Sequence, residues 1–224
     1  MEIRYLAQSA VMITDGDARI LVDPFITGNP KATISADELD PTHILLTHGH
    51  QDHYGDVEEI AKRTGAPVLA MVEIADELSE KGIEVFDPNF GGTVAFDWGW
   101  VKLVPAWHSS TTPAGTVCPP AGLLIMVRDR LVYHLGDTAL FSDLQLVKQR
   151  DDIDVALMCI GGHYTMDPVD GVVAAELVGA KQVIPCHYNT FPPIEQDASK
   201  FKSDVESRTD SEVVVLEPGD THSA

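Results

Sequence analysis

The chain has 224 residues, with 15 Lys and Arg against 35 Asp and Glu and a formal net charge of −20. That balance argues against a nucleic-acid partner, because phosphate binding depends on clustered Lys and Arg. An apolar share of 44% and a charged share of 22% are those of a globular protein, and the length suits a single domain over residues 1–224 with a substantial core.

Residues 1–6 show no basic segment followed by an apolar one, so no signal peptide is expected, and no apolar stretch approaches membrane-spanning length. Cys118, Cys159 and Cys186 are an odd count without metal-type spacing, which favours free thiols and a reducing, cytoplasmic location. Strands are expected at residues 3–5, 10–13 and 19–22, the last two joined by the hairpin signal Asp15-Gly16-Asp17. A loop rich in Gly, Pro and Asn follows over 23–41, and the apolar run 44–47 reads as a buried strand. Helices near 57–63 and 74–81 flank a strand at 67–71, with Asp56 and Glu59 placed to cap the first helix. After Gly91-Gly92 the pattern turns to strands at 93–96, 101–105, 122–127 and 130–134. The last third alternates: helix 142–148, strand 155–160, helix 168–177, strand 182–185, helix 198–208 and strand 212–216. Strand-rich segments flanked by helices predict an α/β fold of two face-to-face sheets with helices outside. No repeat is visible in the letters.

The densest chemistry lies in His48-Gly49-His50-Gln51-Asp52-His53, directly after the strand at 44–47. In an extended exit from that strand, His48 and His50 fall on one side, and Gly49 lets the backbone approach whatever they hold. Three imidazoles and a carboxylate in one short loop are unfavourable unless a cation draws their lone pairs together. A metal does that. Three further candidates sit at strand ends, where catalytic groups are often carried: His108, Asp137 after Gly136, and His187 after Cys186. Five His and two Asp without sulfur suit zinc, manganese or iron, and seven ligands exceed what one tetrahedral ion needs. Two divalent ions fit better, with zinc or manganese the expected metals.

With Gly136-Asp137-Thr138 and His187, the Thr47–His53 motif resembles the ligand set of the metallo-β-lactamase superfamily. The segments 20–25, 107–110, 160–166 and 187–192 resemble, more closely, a branch of metal-dependent hydrolases related to ascorbate-6-phosphate lactonase. The resemblance covers nearly the whole chain and implies a four-layer αββα sandwich. It also implies that His48, His50 and His108 hold one metal, that Asp52, His53 and His187 hold the other, and that Asp137 bridges them. A metal-bound hydroxide would then attack a small ester, lactone or phosphoester, with Asp52 as the proton acceptor. Asp23 is similar to a position that orients a ligand His, although it also reads as an Asp-Pro turn opener. His163, after two glycines, is a candidate for substrate contact, whereas His134 reads as a core histidine. Close relatives carry Gly-His-Ser where this chain has Ala7-Gln8-Ser9, which makes Gln8 a candidate supporting residue that cannot change charge near neutrality.

Other readings share the ligand set. A non-haem iron redox protein is disfavoured by His50, where di-iron relatives have a carboxylate, and by the lack of a flavin domain. A nuclease is disfavoured by the charge, and a metal-free binding module by the retention of all seven ligands. The expected partner is a small-molecule substrate, with no membrane and with sheet edges that would permit a homo-oligomer. Residues 109–120 are expected to form a loop over the cleft.

Overall fold

The computed structural model describes residues 1–224. The first run of strands is β1 (Glu2–Ala7), β2 (Ala10–Asp15), β3 (Ala18–Val22) and β4 (His43–Leu45). Helices α1 (Gln51–Tyr54) and α2 (Val57–Thr64), strand β5 (Val68–Leu69), helix α3 (Val72–Glu80) and strand β6 (Val85–Phe86) complete it. The second run is β7 (Thr93–Phe96), β8 (Gly99–Pro105), β9 (Ala121–Val127) and β10 (Arg130–His134), followed by α4 (Gln145–Lys148) and β11 (Val155–Cys159). Then come α5 (Pro168–Val178), β12 (Gln182–Cys186), α6 (Ala198–Arg208) and β13 (Glu212–Val213), and β14 (Thr221–Ser223) returns to pair with β1.

The strands build two seven-stranded sheets, ordered β14-β1-β2-β3-β4-β5-β6 and β13-β12-β11-β10-β9-β8-β7. In both sheets an antiparallel meander gives way to parallel pairs, at β3–β4 in the first and at β10–β11 in the second. The chain therefore winds the same way twice, a repeat of backbone path that leaves no trace in the letters. Parallel pairing needs crossovers; helices supply them on the outer faces, except between β3 and β4, where the long loop holds only a 3₁₀ turn at Ala36–Glu38.

Period-two alternation assigns the faces of the second sheet. Leu123, Ile125, Val127, Val132, Val155 and Leu157 join the larger core cluster, which fills the space between the sheets and extends to Val57, Ile60, Ile74 and Leu78 of α2 and α3. Their neighbours Leu124, Leu131, Tyr133, Ala156 and Met158 point the other way, against Val172, Ala175, Phe201 and Val205 of α5 and α6. The layers are thus helix, sheet, sheet, helix: an αββα sandwich.

Expected elements depart from the structure where side chains or short runs override the pattern. The strand expected to reach residue 47 ends at Leu45, and the Thr47 N–H goes to Asp23 Oδ1 at 2.8 Å. Asp56 precedes α2 but makes no side-chain cap; its Oδ2 accepts the N–H groups of Ile26 (2.9 Å) and Thr27 (2.8 Å), pinning the 23–41 loop. Glu59 likewise makes no cap and pairs with Arg63 one turn on, at 3.1 Å. The expected helix over 142–148 opens as a 3₁₀ turn at Ser142–Leu144, and β13 is only the start of the expected 212–216 strand. Strands β6 and β14 are two and three residues long, too short for periodicity to reveal.

Helix α6 has an aspartate cap, Asp197, whose carboxylate accepts the N–H groups of Ser199 and Lys200, both at 3.0 Å. Asp197→Ala leaves two end N–H groups without a protein partner and should cost about 0.5–2 kcal/mol of stability. A denaturant midpoint unchanged by the substitution would exclude a capping role.

Candidate metal centre

The sheets bring their functional side chains together at the ends of strands. His48, His50, Asp52 and His53 follow β4 of the first sheet; His108, Asp137 and His187 follow β8, β10 and β12 of the second. The ligand atoms of His48, His50 and His108 lie within 4.8 Å of one another, as do those of Asp52, His53 and His187, and those of His48, His53 and Asp137. Metal–ligand bonds of about 2.1 Å place tetrahedral neighbours about 3.4 Å apart, so small side-chain movements would close either group on an ion.

Asp137 stands between the groups. Its Oδ1 is 3.4 Å from His53 Nε2, and its Oδ2 is 3.0 Å from His187 Nε2, 3.6 Å from His108 Nε2 and 4.0 Å from His48 Nε2. Gly136 places it: at φ 64°, with Ala121 O 2.7 Å and Thr47 Cβ 3.1 Å from where a Cβ would stand, the position admits no side chain. Gly49 meets the same limit for a different reason, since a Cβ there would come within 2.9 Å of the backbone N of Thr112, in the loop that follows His108.

Hydrogen bonds set the tautomers. Asp23 is fully buried, in a left-handed conformation (φ 47°). Its Oδ2 accepts the Thr47 hydroxyl at 2.6 Å and faces His53 Nδ1 at 2.7 Å. In its neutral form His53 therefore carries its proton on Nδ1, leaving Nε2 as the nitrogen turned to the centre. The Thr47 hydroxyl has spent its hydrogen on Asp23, so toward His48 Nδ1, 3.0 Å away, it can only accept. That fixes a proton on His48 Nδ1 and frees its Nε2 as well. Gln8 Nε2 donates to Asp52 Oδ2 at 2.9 Å, while the Gln8 carbonyl accepts the His187 N–H at 2.7 Å. Gln8 (φ 55°) and His187 (φ 55°) share the left-handed backbone of Asp23, a local strain concentrated at this centre.

The electrostatics call for a cation. No Lys or Arg pairs with Asp23, Asp52 or Asp137; every close basic partner is an imidazole. Burial works to lower the His53 pKa, yet Asp137, Asp23 and Asp52 outweigh it and hold that pKa well above the ordinary value. At His187 burial is again overcome, by Asp137 and Asp52, and the pKa rises to about 9. His48 goes the other way: burial, then the charge of His53, holds it well below. His53 Nε2, His187 Nε2 and Asp137 Oδ1 are buried without a hydrogen-bond partner. Orphaned nitrogen and oxygen donors crowded around buried carboxylates fit divalent ions and little else.

The comparisons with known proteins agree in one direction. The profile of the beta-lactamase superfamily domain matches residues 2–187. The chain belongs to the metallo-β-lactamase superfamily. It is 46% identical to a UPF0173 metal-dependent hydrolase of Ligilactobacillus salivarius, over 92% of this chain and 93% of that protein. It is 48% identical to a relative of the same description from Geobacillus thermodenitrificans, over 91% and 92%. Among solved structures it is similar to Igni18, a metallo hydrolase from the archaeon Ignicoccus hospitalis, with a TM-score of 0.91, 37% identity, and 99% of this chain and 97% of that one covered. Within the superfamily, the chain is a member of the UPF0173 metal-dependent hydrolases.

In this metallo-β-lactamase chain the candidates outside the seven candidate ligands separate by position. Asp23 and Gln8 touch candidate ligands. His134 is fully buried with Nε2 3.0 Å from the Ser9 carbonyl, and its Nδ1 accepts the Gly136 N–H at 3.1 Å; it supports the Asp137 turn from below. His163 is exposed and lies outside the cleft wall, which its neighbour Tyr164 lines. Sequence reasoning gave no role to Thr47, Ser110 or Tyr164. Ser110 Oγ accepts the Gly49 N–H at 3.0 Å and so ties the 109–120 loop to the histidine motif. A polar residue two positions after a candidate ligand was the one available signal for it.

Asp23→Asn keeps the shape but weakens the grip on His53 and Thr47. Removing a carboxylate that orients a ligand histidine typically lowers metal affinity by about 10–100-fold. Competition with a fluorescent chelator should show that loss in Asp23→Asn; wild-type affinity would mean that Asp23 serves only its turn.

Proposed function

We propose that this metal-dependent hydrolase is dinuclear and cleaves a small ester, lactone or phosphoester. The observation that carries this reading is the pair of three-residue ligand groups with Asp137 between them, its two oxygens facing members of both. His48, His50 and His108 would hold one ion, and Asp52, His53 and His187 the other. Zinc or manganese suits imidazole and carboxylate donors without sulfur. When bound, such ions polarise the scissile group and lower the pKa of water from 15.7 to about 7.

The chain's own residues supply the rest. All close partners of Asp52 meet its Oδ2: Gln8 Nε2 at 2.9 Å, His187 Nε2 at 3.3 Å and His53 Nε2 at 3.8 Å. Oδ1 is left to take the proton as water adds to the carbonyl or phosphoryl centre. The C–O or P–O bond then breaks and the proton passes to the departing alcohol. Thr47 and Asp23 hold the His48 and His53 imidazoles in the tautomer that presents Nε2 to the ions. The helices are too short or too polar to cross a membrane, consistent with a small substrate taken from water.

Elemental analysis of protein saturated with zinc or manganese should give close to two ions per chain, and a chelator should abolish hydrolysis of a panel of aryl esters, lactones and phosphodiesters. One ion at saturation, with the ester panel still turned over, would overturn the dinuclear reading.

A further inference from the structure

The cleft over the metal centre has a volume of about 390 Å³. Besides candidate ligands, its wall consists of Gln8, Ser109, Tyr164 and Phe191. No Lys or Arg lines it; Lys31 lines two other cavities, one of which adjoins the cleft at Gln8. Inside the cleft itself, all positive charge available to a substrate would therefore sit at the reacting atoms. A carboxylate or phosphate elsewhere on the substrate would find no cationic partner in the cleft wall, within a chain whose net charge of −20 repels it.

Aromatic side chains stand where charge is missing. Tyr164 is 56% exposed although it lines the cleft, and its ring meets His163 edge-on at 4.6 Å. Phe191, half-buried, rests against Phe25 with ring centroids 6.5 Å apart. Trp107, next to His108, is 67% exposed but lies outside the cleft wall, its ring tilted against Phe141 with centroids 6.4 Å apart.

We infer that the substrate's non-reacting part is uncharged and carries a flat apolar group, received by Tyr164 and Phe191. This rests on the metal-centred hydrolytic reading and specifies what that site accepts.

Two matched sets test it on the metal-loaded protein. Calorimetry would compare acetohydroxamate, benzohydroxamate and 4-carboxybenzohydroxamate, which share a metal-binding group. Turnover would compare p-nitrophenyl butyrate with p-nitrophenyl hemiglutarate, which share the scissile bond and differ by one remote charge. Benzohydroxamate should bind about tenfold more tightly than either partner, and the neutral ester should show a kcat/KM about tenfold higher. Tyr164→Ala and Phe191→Ala should each remove about three- to tenfold of the ring's advantage and leave acetohydroxamate binding unchanged. Equal binding of the three hydroxamates, or preference for the charged ester, would overturn the inference while the hydrolase reading stands. Failure of every hydroxamate to bind, with no ester hydrolysed, would instead overturn the hydrolase reading.

Discussion

Asp137→Ala should lose both ions together. Its two oxygens face His53 at 3.4 Å, His187 at 3.0 Å and His108 at 3.6 Å, so it is the one carboxylate placed to neutralise and space two cations at once. Without it the remaining imidazoles around the centre are brought together with less negative charge to hold a cation. Metal content should fall towards zero and turnover with it. The thermal midpoint should drop with it, each lost ion removing about 2.7–4.1 kcal/mol when metal stands at 100–1,000 times its dissociation constant. Elemental analysis and thermal unfolding with and without chelator check this. A variant that keeps two ions, near-wild-type rate and a chelator-sensitive midpoint would remove Asp137 from the bridging role.

Asp52→Asn should separate rate from metal content. The amide keeps the shape, can accept from Gln8 Nε2 where Asp52 Oδ2 does now, and retains an oxygen for the ion. What it loses is basicity at the atom that would take the proton. Loss of a general base costs about 10²–10⁴-fold, equivalent to roughly 3–5 kcal/mol of barrier. The expected result is a kcat lowered by that factor with most of the metal retained. Equal, proportionate losses of metal and rate would make Asp52 a ligand only.

The sequence carried the site further than it carried the scaffold. Three histidines and an aspartate within six positions after a strand announce a ligand cluster by density alone, and the strand-end positions of His108, Asp137 and His187 suggested partners for it. The roles of Asp23 and Thr47 were much harder to read. They depend on hydrogen bonds across 24 and 30 residues, and an Asp before a Pro looks like any turn. Asp56 misled for the same reason: local spacing offered a helix cap, while the fold used the carboxylate to hold Ile26 and Thr27. The doubled winding of the two sheets was invisible, because strands require only alternation and helices only an apolar stripe, which unrelated letters satisfy equally well.

The candidate ligands' distribution between the sheets has a mechanical consequence. Four follow β4 in one sheet and three follow strands of the other, so the bound ions would act as rivets through the seam of the sandwich. Amides of β1–β3 and β8–β9 away from that edge should exchange their hydrogens at the same pace with or without metal. Those of residues 46–54 and 135–138 should be released when the rivets are drawn, opening one end of the sandwich like a book while its spine stays closed.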